Sequence, residues 1–174
     1  MARGSTKTKR LTFQDLLPQA EKIAKLLKQR NETVAVAESS AGGLISAALL
    51  SVAGASAYYV GGAVNYTRPV LLHLAGKRAE ELAGMRGATE EFARFAAKAA
   101  RERYQAHWGV SESGAAGPTG NRYGDPAGHA CLAVSGRVER AITLKTGSDD
   151  RVANMHAFAG AALTLLAEVL ASKG

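Results

Sequence analysis

One short segment of the chain predicts a strand, a tight polar turn and a helix in direct succession. The run 33–37 (TVAVA), which is rich in β-branched residues, precedes the turn 38–43 (ESSAGG), and the apolar run 44–50 follows it. A strand that leads straight into a helix is typical of α/β folds. The turn has two alternative interpretations. Its N–H groups, beside a helix N-terminus, suit the binding of an anion. Alternatively, its serine and glycine residues form only an ordinary helix cap.

The rest of the pattern alternates helices with strands and ends in a hairpin. Helices are predicted over residues 12–31, 42–51, 67–76, 77–83 and 89–104 and from residue 148 onward, with Thr12 and Thr89 as N-caps. Strands are predicted over residues 57–65, 108–113, 128–135 and 139–145, with a Gly/Pro-rich loop at 114–128. This order predicts an α/β fold of three α/β/α layers, a mixed sheet with helices on both faces.

Length and charge suggest one domain with a basic extension. The 174 residues suit a single domain, predicted over 12–174 after a basic disordered tail, 1–11. Arg3, Lys7, Lys9 and Arg10 carry more than half of the net charge of +7. Because no aromatic residues are interleaved with the basic residues of the body, nucleic acid is an unlikely partner.

The remaining composition gives no sign of a membrane, a metal or an oxidising compartment. No apolar run approaches a membrane span, and the first ten residues lack a signal-peptide core. A lone Cys131 excludes an intrachain disulfide and fits a cytoplasmic location, and its strand-like surroundings predict a buried, inert thiol. His107, His129 and His156 are scattered without metal-ligand spacing.

Three loops are expected at strand ends, where open α/β sheets bind ligands. The first loop, the turn 38–43, offers Ser39 and Ser40 as nucleophiles. The second loop offers Tyr66, Thr67 and Arg68, which follow a strand. The third loop, residues 114–128, offers backbone N–H groups but lacks the Lys-Ser/Thr ending of a P-loop. No Ser-His-Asp set or G-x-S-x-G elbow is present. Tyr66 helps to activate a serine if Arg68 lowers its pKa; otherwise it is an ordinary strand-end aromatic.

Taken together, these stretches resemble the C-terminal domain of the competence/damage-inducible protein CinA, the nicotinamide-nucleotide amidohydrolase family. The matching segments are residues 37–67, 87–91 (GATEE), 113–120 (SGAAGPTG), 126–128 and 150–151, and the resemblance extends over about residues 13–170. It implies a three-layer α/β fold and hydrolysis of nicotinamide mononucleotide to nicotinate mononucleotide and ammonia, without a metal or organic cofactor. Ser39, Tyr66 and the glycine-rich residues 113–118 match the family motifs.

The chain departs from the family at two positions. Leu71 stands where the family has a lysine, and Ala41 replaces a threonine. A lysine can serve as the base for a serine nucleophile, whereas leucine cannot take a proton. We expect Leu71 to face the pocket, turnover far below that of lysine-bearing relatives, and a gain of activity in Leu71→Lys.

Two hypotheses follow from the resemblance and its departures. In the first, an amidohydrolase uses Ser39 as nucleophile and Tyr66 as proton relay, with Arg68 clamping the phosphate of a pyridine nucleotide. N–H groups of residues 41–43 or 114–117 then form the oxyanion hole. In the second, a catalytically silent nucleotide-binding module keeps the pocket. The oligomeric state stays open, with a homo-oligomer as one alternative. The predicted ligand contacts are Ser40, Ala41, Gly42, Gly43, Thr67, Arg68, Gly114, Gly117, Pro118, Thr119, Gly120 and Arg151.

Overall fold

The computed structural model describes residues 10–75 and 80–172. The helices are α1 (Leu17–Arg30), α2 (Leu44–Leu50), α3 (Arg68–Ala75), α4 (Glu90–Arg103) and α5 (Arg151–Ala171). The strands are β1 (Val34–Glu38), β2 (Tyr59–Val64), β3 (Trp108–Ala115), β4 (His129–Ser135) and β5 (Arg140–Lys145). Short 3₁₀ turns at Gln14–Leu16 and Ala55–Ala57 precede α1 and β2.

The five strands form one mixed sheet in the order β2-β1-β3-β4-β5. β1 pairs with β2 and β3 in parallel, whereas β4 and β5 continue the sheet antiparallel. The carboxyl ends of the three parallel strands therefore share one edge with the start of β4, where Ala115 pairs with His129. The predicted α/β class, with a mixed sheet and a late hairpin, is confirmed.

Helices cover both faces of the sheet. On one face, α1, α2 and α5 pack on Val34 and Val36 of β1. On the other, α4 packs on Ala35 and Ala37, the alternate residues of the same strand. Because β1 is covered on both faces, all five of its residues are buried. This burial explains why the strand has a continuous rather than an alternating apolar pattern.

Two predicted helix starts are confirmed, and a third differs. Thr89 accepts a hydrogen bond from Phe92 N at 3.2 Å, and Asp150 accepts one from Ala153 N at 3.0 Å. At the first helix, the N–H and hydroxyl of Thr12 both donate to Asp15, at 2.8 and 2.7 Å. Thr12 is thus held by Asp15, and a 3₁₀ turn precedes α1.

Two boundaries near the predicted loops also differ from the sequence-based assignment. Helix α2 begins at Leu44 rather than residue 42, because Gly42 and Gly43 have φ of 68° and 96°, the left-handed region outside a helix. Strand β3 extends beyond Ser113 to Ala115, so Gly114 belongs to the strand. Part of the predicted helix 77–83 lies outside the described residues.

The N-terminal residues and the C-terminal helix α5 concern two predictions, the basic tail and the lack of a membrane span. Residues 1–9 of the predicted tail lie outside the described residues, and Arg10 forms an ion pair with Asp150 at 2.9 Å. Among the described helices, α5 alone is long and apolar enough to cross a membrane. Half of the most apolar 18-residue stretch of α5 is buried within the fold.

Candidate active site at the carboxyl edge of the sheet

Two adjoining clefts open at the carboxyl edge of the parallel strands, and Tyr66, Gly114 and Asn121 line both of them. The larger cleft has a volume of about 490 Å³ and the smaller about 220 Å³. The larger is further lined by Ser39, Asn65, Thr67, Arg68, Pro69, Leu71, Gly87, Ala88, Phe92, Ser113, Arg122 and Tyr123. The smaller is further lined by Ser40, Ala115, Ala116, Gly117, Thr119, Gly120 and Arg151.

The structure brings most of the predicted site residues to these clefts. The two adjacent serines separate, since Ser39 lines the larger cleft and Ser40 the smaller. Four predicted ligand contacts line neither cleft: Ala41, Gly42, Gly43 and Pro118. The first three belong to a turn whose N–H groups all donate within the protein, and Pro118 lies exposed on the third loop.

The first loop closes around Glu112, a residue of β3 that the sequence analysis did not single out. Glu112 Oε2 accepts hydrogen bonds from the backbone N–H groups of Ser39 (3.1 Å) and Ala41 (2.8 Å). Its other carboxylate oxygen, Oε1, accepts a hydrogen bond from the hydroxyl of Ser40. Only 2% of Glu112 is exposed, and burial raises the pKa of its carboxyl above the usual range.

A second buried carboxylate, Glu38, holds the other half of the same turn. Its Oε2 accepts from the N–H groups of Gly43 (2.9 Å) and Ile45 (3.1 Å). Its Oε1 accepts from Ser46 N at 2.7 Å and Ser46 Oγ at 2.6 Å. Glu38 therefore satisfies free N–H groups at the start of α2, the role that one of the two interpretations of the turn gave to its serine residues.

The turn thus binds anions, but the anions are the protein's own carboxylates. Ala41 N donates to Glu112, Gly43 N donates to Glu38, and Gly42 N donates to Ser39 O at 3.1 Å. The expectation that residues 41–43 form an oxyanion hole is therefore wrong. The sequence predicted the turn itself. It did not predict the carboxylate that the turn binds, because only the pairing of β1 with β3 brings Glu112 opposite the turn.

Arg151 joins the second and third loops at the start of α5. Its Nη2 donates to Tyr66 Oη at 2.9 Å, and its Nη1 donates to the carbonyl oxygen of Gly117 at 2.6 Å. Activation of Tyr66 by Arg68 was one of two interpretations, and in the structure Arg151, rather than Arg68, donates to the Tyr66 hydroxyl. Tyr66 remains 60% exposed, so a ligand in either cleft can reach its ring.

Arg68 lines the larger cleft, and its guanidinium is held from behind. Nη1 donates to Met85 O at 3.3 Å and Nη2 donates to Leu82 O at 3.1 Å. A guanidinium has five N–H donors, so these two bonds orient it and leave donors for a ligand. Arg68 therefore lines the larger cleft with a guanidinium that two backbone carbonyl oxygens hold in place.

Asn154 of α5, which the sequence did not indicate as a site residue, holds the third loop by hydrogen bonds. It is 1% exposed, and its Nδ2 donates to the carbonyl oxygens of Ala116 and Ser148, each at 2.8 Å. Its Oδ1 accepts from Thr146 Oγ1 at 2.6 Å. A buried asparagine with all these partners is a positioning residue, and nothing in the helical pattern of α5 distinguished it.

The far part of the third loop adds an aromatic wall to the larger cleft. The guanidinium groups of Arg122 and Arg86 lie 5.0 and 5.5 Å from the ring centre of Tyr123. Asn121 Oδ1 accepts from the N–H groups of Tyr123 (2.9 Å) and Asp125 (3.1 Å), which folds the segment into a tight turn. The sequence Asn-Arg-Tyr-Gly-Asp carries this turn signal, so the feature could have been found.

Leu71, at the position of the family lysine, lines the larger cleft as expected. The same side chain packs against the hydrophobic cluster that includes Leu82 and Phe92. Leu71 therefore forms an apolar part of the cleft wall.

The charges of the two clefts have a single sign. Arg68 and Arg122 line the larger cleft and Arg151 the smaller, whereas no carboxylate side chain is among the described residues that line them. Because both buried glutamates lie outside the linings, the clefts favour an anionic ligand. Across residues 10–75 and 80–172, no group of His, Cys, Asp and Glu side chains is arranged to hold a metal ion.

The fold and these clefts define an α/β domain with a cationic site at the carboxyl edge of a mixed sheet. The chain belongs to the CinA C-terminal domain family, whose model matches residues 17–170.

Curated relatives and solved structures agree on this family. "CinA-like proteins" of Chloroherpeton thalassium and Desulforapulum autotrophicum are 35% and 32% identical over 88% and 91% of this chain. The chain spans 38% of the length of each.

Two crystal structures have the same fold. The competence/damage-inducible protein CihA of Agrobacterium tumefaciens matches with a TM-score of 0.83, at 28% identity over 95% of this chain and 99% of that one. The competence damage-inducible protein A (ComA) of Klebsiella pneumoniae matches with a TM-score of 0.84, at 26% identity over 91% and 99%.

Proposed function

We propose that this domain is a nicotinamide-nucleotide amidase, which hydrolyses the carboxamide of nicotinamide mononucleotide to give nicotinate mononucleotide and ammonia. The observation that carries the proposal is the meeting of two serines, Tyr66 and two arginines, Arg68 and Arg151, at the two adjoining clefts. The resemblance to the amidohydrolase family supplies the reaction, and the geometry supplies the binding groups.

The size and charge of the clefts suit a phosphorylated nucleotide. Their volumes of about 490 and 220 Å³ fall together within the range of small-molecule sites. Arg68 offers N–H donors that can bind phosphate in the bidentate manner of a guanidinium. Tyr66 and Tyr123 present aromatic faces to the larger cleft, where a heteroaromatic ring can stack.

The reaction needs a nucleophile and donors for the oxyanion. Ser39, at the family's serine position, and Ser40 are the two candidate nucleophiles of the first loop, one in each cleft. Because the N–H groups of residues 41–43 are used within the turn, the oxyanion donors come from the third loop or from Arg151. We further place this small-molecule chemistry in the cytoplasm.

An ammonia-release assay with nicotinamide mononucleotide tests the proposal. We expect the wild-type protein to release ammonia and nicotinate mononucleotide stoichiometrically, at a rate below that of lysine-bearing relatives. The matched control is nicotinamide riboside, which has the same amide and no phosphate. Absence of ammonia release from the nucleotide, with correctly folded protein, contradicts the amidase.

The second candidate function, a silent nucleotide-binding module, is favoured by Leu71. Leucine in the cleft wall removes the family's base and leaves the binding groups in place. Titration calorimetry separates the two, because this candidate predicts binding of the nucleotide without turnover. Two charge-assisted hydrogen bonds from Arg68, at about 1.5–3 kcal/mol each, imply more than tenfold preference for the nucleotide over its riboside. Equal affinity for both would exclude Arg68 as the phosphate group's partner.

A further inference from the structure

We propose that Ser40 and Glu112 are the nucleophile and general base of this site, so that a buried carboxylate replaces the family lysine. The inference rests on the proposed amidase function and deepens it by assigning the reacting groups. It moves the nucleophile one residue along from Ser39, the position that the resemblance indicates.

The two serines differ in what their hydroxyl groups contact. Ser40 Oγ donates a hydrogen bond to Glu112 Oε1. Ser39 contacts the same carboxylate only through its backbone N–H, at 3.1 Å. Within the described part of the chain, the hydroxyl of Ser39 makes no hydrogen bond to a base. A serine nucleophile requires a base within hydrogen-bond reach, and Ser40 meets this requirement.

The carboxylate is rigidly held in the orientation that proton transfer requires. The N–H groups of Ser39 and Ala41 both donate to Oε2 of Glu112, at 3.1 and 2.8 Å. These bonds leave Oε1 directed at the hydroxyl of Ser40, in a geometry that exists before any ligand arrives. Such preorganisation removes the cost of positioning the base during the reaction.

The surroundings of Glu112 favour a base stronger than an exposed carboxylate. Burial is the main cause that raises its pKa, and the nearby negative charge of Glu38 acts in the same direction. Hydrogen bonds from Ser40, Ala41 and Ser39 oppose these effects without reversing them. A carboxyl whose pKa moves toward neutral pH accepts a proton more effectively in general base catalysis.

The position of the pair gives access to one reacting group and shields the other. Ser40 lines the smaller cleft beside Gly117 and Arg151, whereas Glu112 lines neither cleft. Ser40 is 4% exposed, and we expect a carboxamide in the smaller cleft to approach it there, with the carboxylate of Glu112 shielded from solvent. The positive charge of Arg151 lies along the same wall, where it can stabilise a developing oxyanion.

The reaction balances with water as the only co-reactant. Ser40 Oγ attacks the carboxamide carbon and its proton passes to Glu112; collapse of the adduct breaks the C–N bond. Glu112 then gives that proton to the nitrogen, and ammonia leaves. In the second half, Glu112 takes a proton from water, the hydroxide attacks the acyl carbon, and the proton returns to Ser40 Oγ. The product is the free carboxylic acid, and no oxidation or reduction occurs.

The chain offers a conservative variant and a matched control for this pair. In Glu112→Gln, the amide oxygen can accept from both backbone N–H groups and the amide NH₂ can donate to Ser40 Oγ. All three contacts are retained, whereas the base is lost. Ser46→Ala is the control, since Ser46 also donates to a buried glutamate, Glu38, but lines neither cleft.

The experiment measures labelling of the folded protein by a fluorophosphonate, which reacts with activated serine hydroxyl groups. Tandem mass spectrometry of the wild type then identifies the modified serine. We expect the label on Ser40, a rate reduced by about a hundredfold or more in Glu112→Gln, and an unchanged rate in Ser46→Ala. A label on Ser39, no label on either serine, or an unchanged rate in Glu112→Gln would overturn the inference.

The labelling result is independent of the substrate, so the two proposals fail separately. Label on Ser40 without ammonia release from nicotinamide mononucleotide supports the pair and contradicts the proposed substrate. Ammonia release together with a label on Ser39 supports the amidase and overturns the pair.

Discussion

The first and third loops of the site use their backbones in opposite ways. In the first loop, N–H groups are bound by Glu38 and Glu112, which extend from the strands beneath it. In the third loop, it is the carbonyl oxygens of Ala116 and Gly117 that are bound, by Asn154 and Arg151 of α5. A serine-rich, glycine-rich turn therefore does not by itself make an anion site; what faces the turn decides whether an outside anion can enter.

Loss of Glu38 should show the largest effect, because several buried donors depend on it. Glu38→Ala leaves the N–H groups of Gly43, Ile45 and Ser46 without their acceptor. We expect the free energy of unfolding in urea to fall by about 3 kcal/mol or more. Glu21→Ala, which removes an exposed carboxylate on α1, is the control and should have little effect. A loss below about 1 kcal/mol in Glu38→Ala would mean that the first loop does not depend on its carboxylates.

The third loop should respond more weakly to loss of its anchor. Asn154→Ala frees the carbonyl oxygens of Ala116 and Ser148, and we expect a loss of about 2 kcal/mol in the same urea measurement. Thr164→Ala, exposed on the same helix, should be neutral. Hydrogen exchange should show faster opening around residues 116–120 in the Asn154 variant alone. Unchanged exchange there would show that α5 does not hold the loop.

Arg151→Lys tests whether one guanidinium must join two loops. Arginine binds Gly117 O and Tyr66 Oη through separate nitrogens, whereas a lysine has a single nitrogen to share between them. We expect affinity for nicotinamide mononucleotide, measured by calorimetry, to fall about tenfold, or about 1.4 kcal/mol. Lys145→Arg, an exposed change on β5, is the control. Full affinity in Arg151→Lys would show that only the charge matters.

The pH dependence of stability should separate Glu112 from an ordinary carboxylate. Because folding raises its pKa, the folded state binds more protons between the ordinary and the raised pKa. The free energy of unfolding therefore falls as pH rises through that window, by at most about 1.4 kcal/mol per pH unit. Glu112→Gln should lack this slope and become relatively more stable toward high pH. Parallel stability curves for the two proteins would contradict a raised pKa.

The smallest effect on stability is expected at Leu71. In Leu71→Lys, the aliphatic stem can keep the contact with the cluster around Phe92 while the ammonium reaches the larger cleft. We expect a loss of no more than about 1 kcal/mol and a gain in ammonia release from nicotinamide mononucleotide. Leu71→Met, which keeps an apolar chain of similar length, is the control. Brisk release by the wild type, with no gain in Leu71→Lys, would show that the base already lies elsewhere.

Local sequence determined the elements of this fold. The β-branched run before the first loop, the apolar spacing of α1 and α5, and the caps Thr89 and Asp150 are set by interactions a few residues apart. The alternation of helices and strands then limits the sheet to a mixed arrangement with both faces covered. The same order predicts which strand ends share an edge, and therefore which three loops surround the clefts.

Tertiary structure alone decided how those loops are used. Ser40 lies 72 positions from its partner Glu112, and Tyr66 lies 85 from Arg151. No local pattern specifies such pairs, because they depend on strand register and on how α5 docks against the sheet. A glutamate in an apolar strand and an arginine at a helix start are both common in sequences. Only the packed fold excludes water from Glu112 and directs the guanidinium of Arg151 at two loops. A glutamate thereby becomes a buried base, and an arginine becomes part of a cationic cleft.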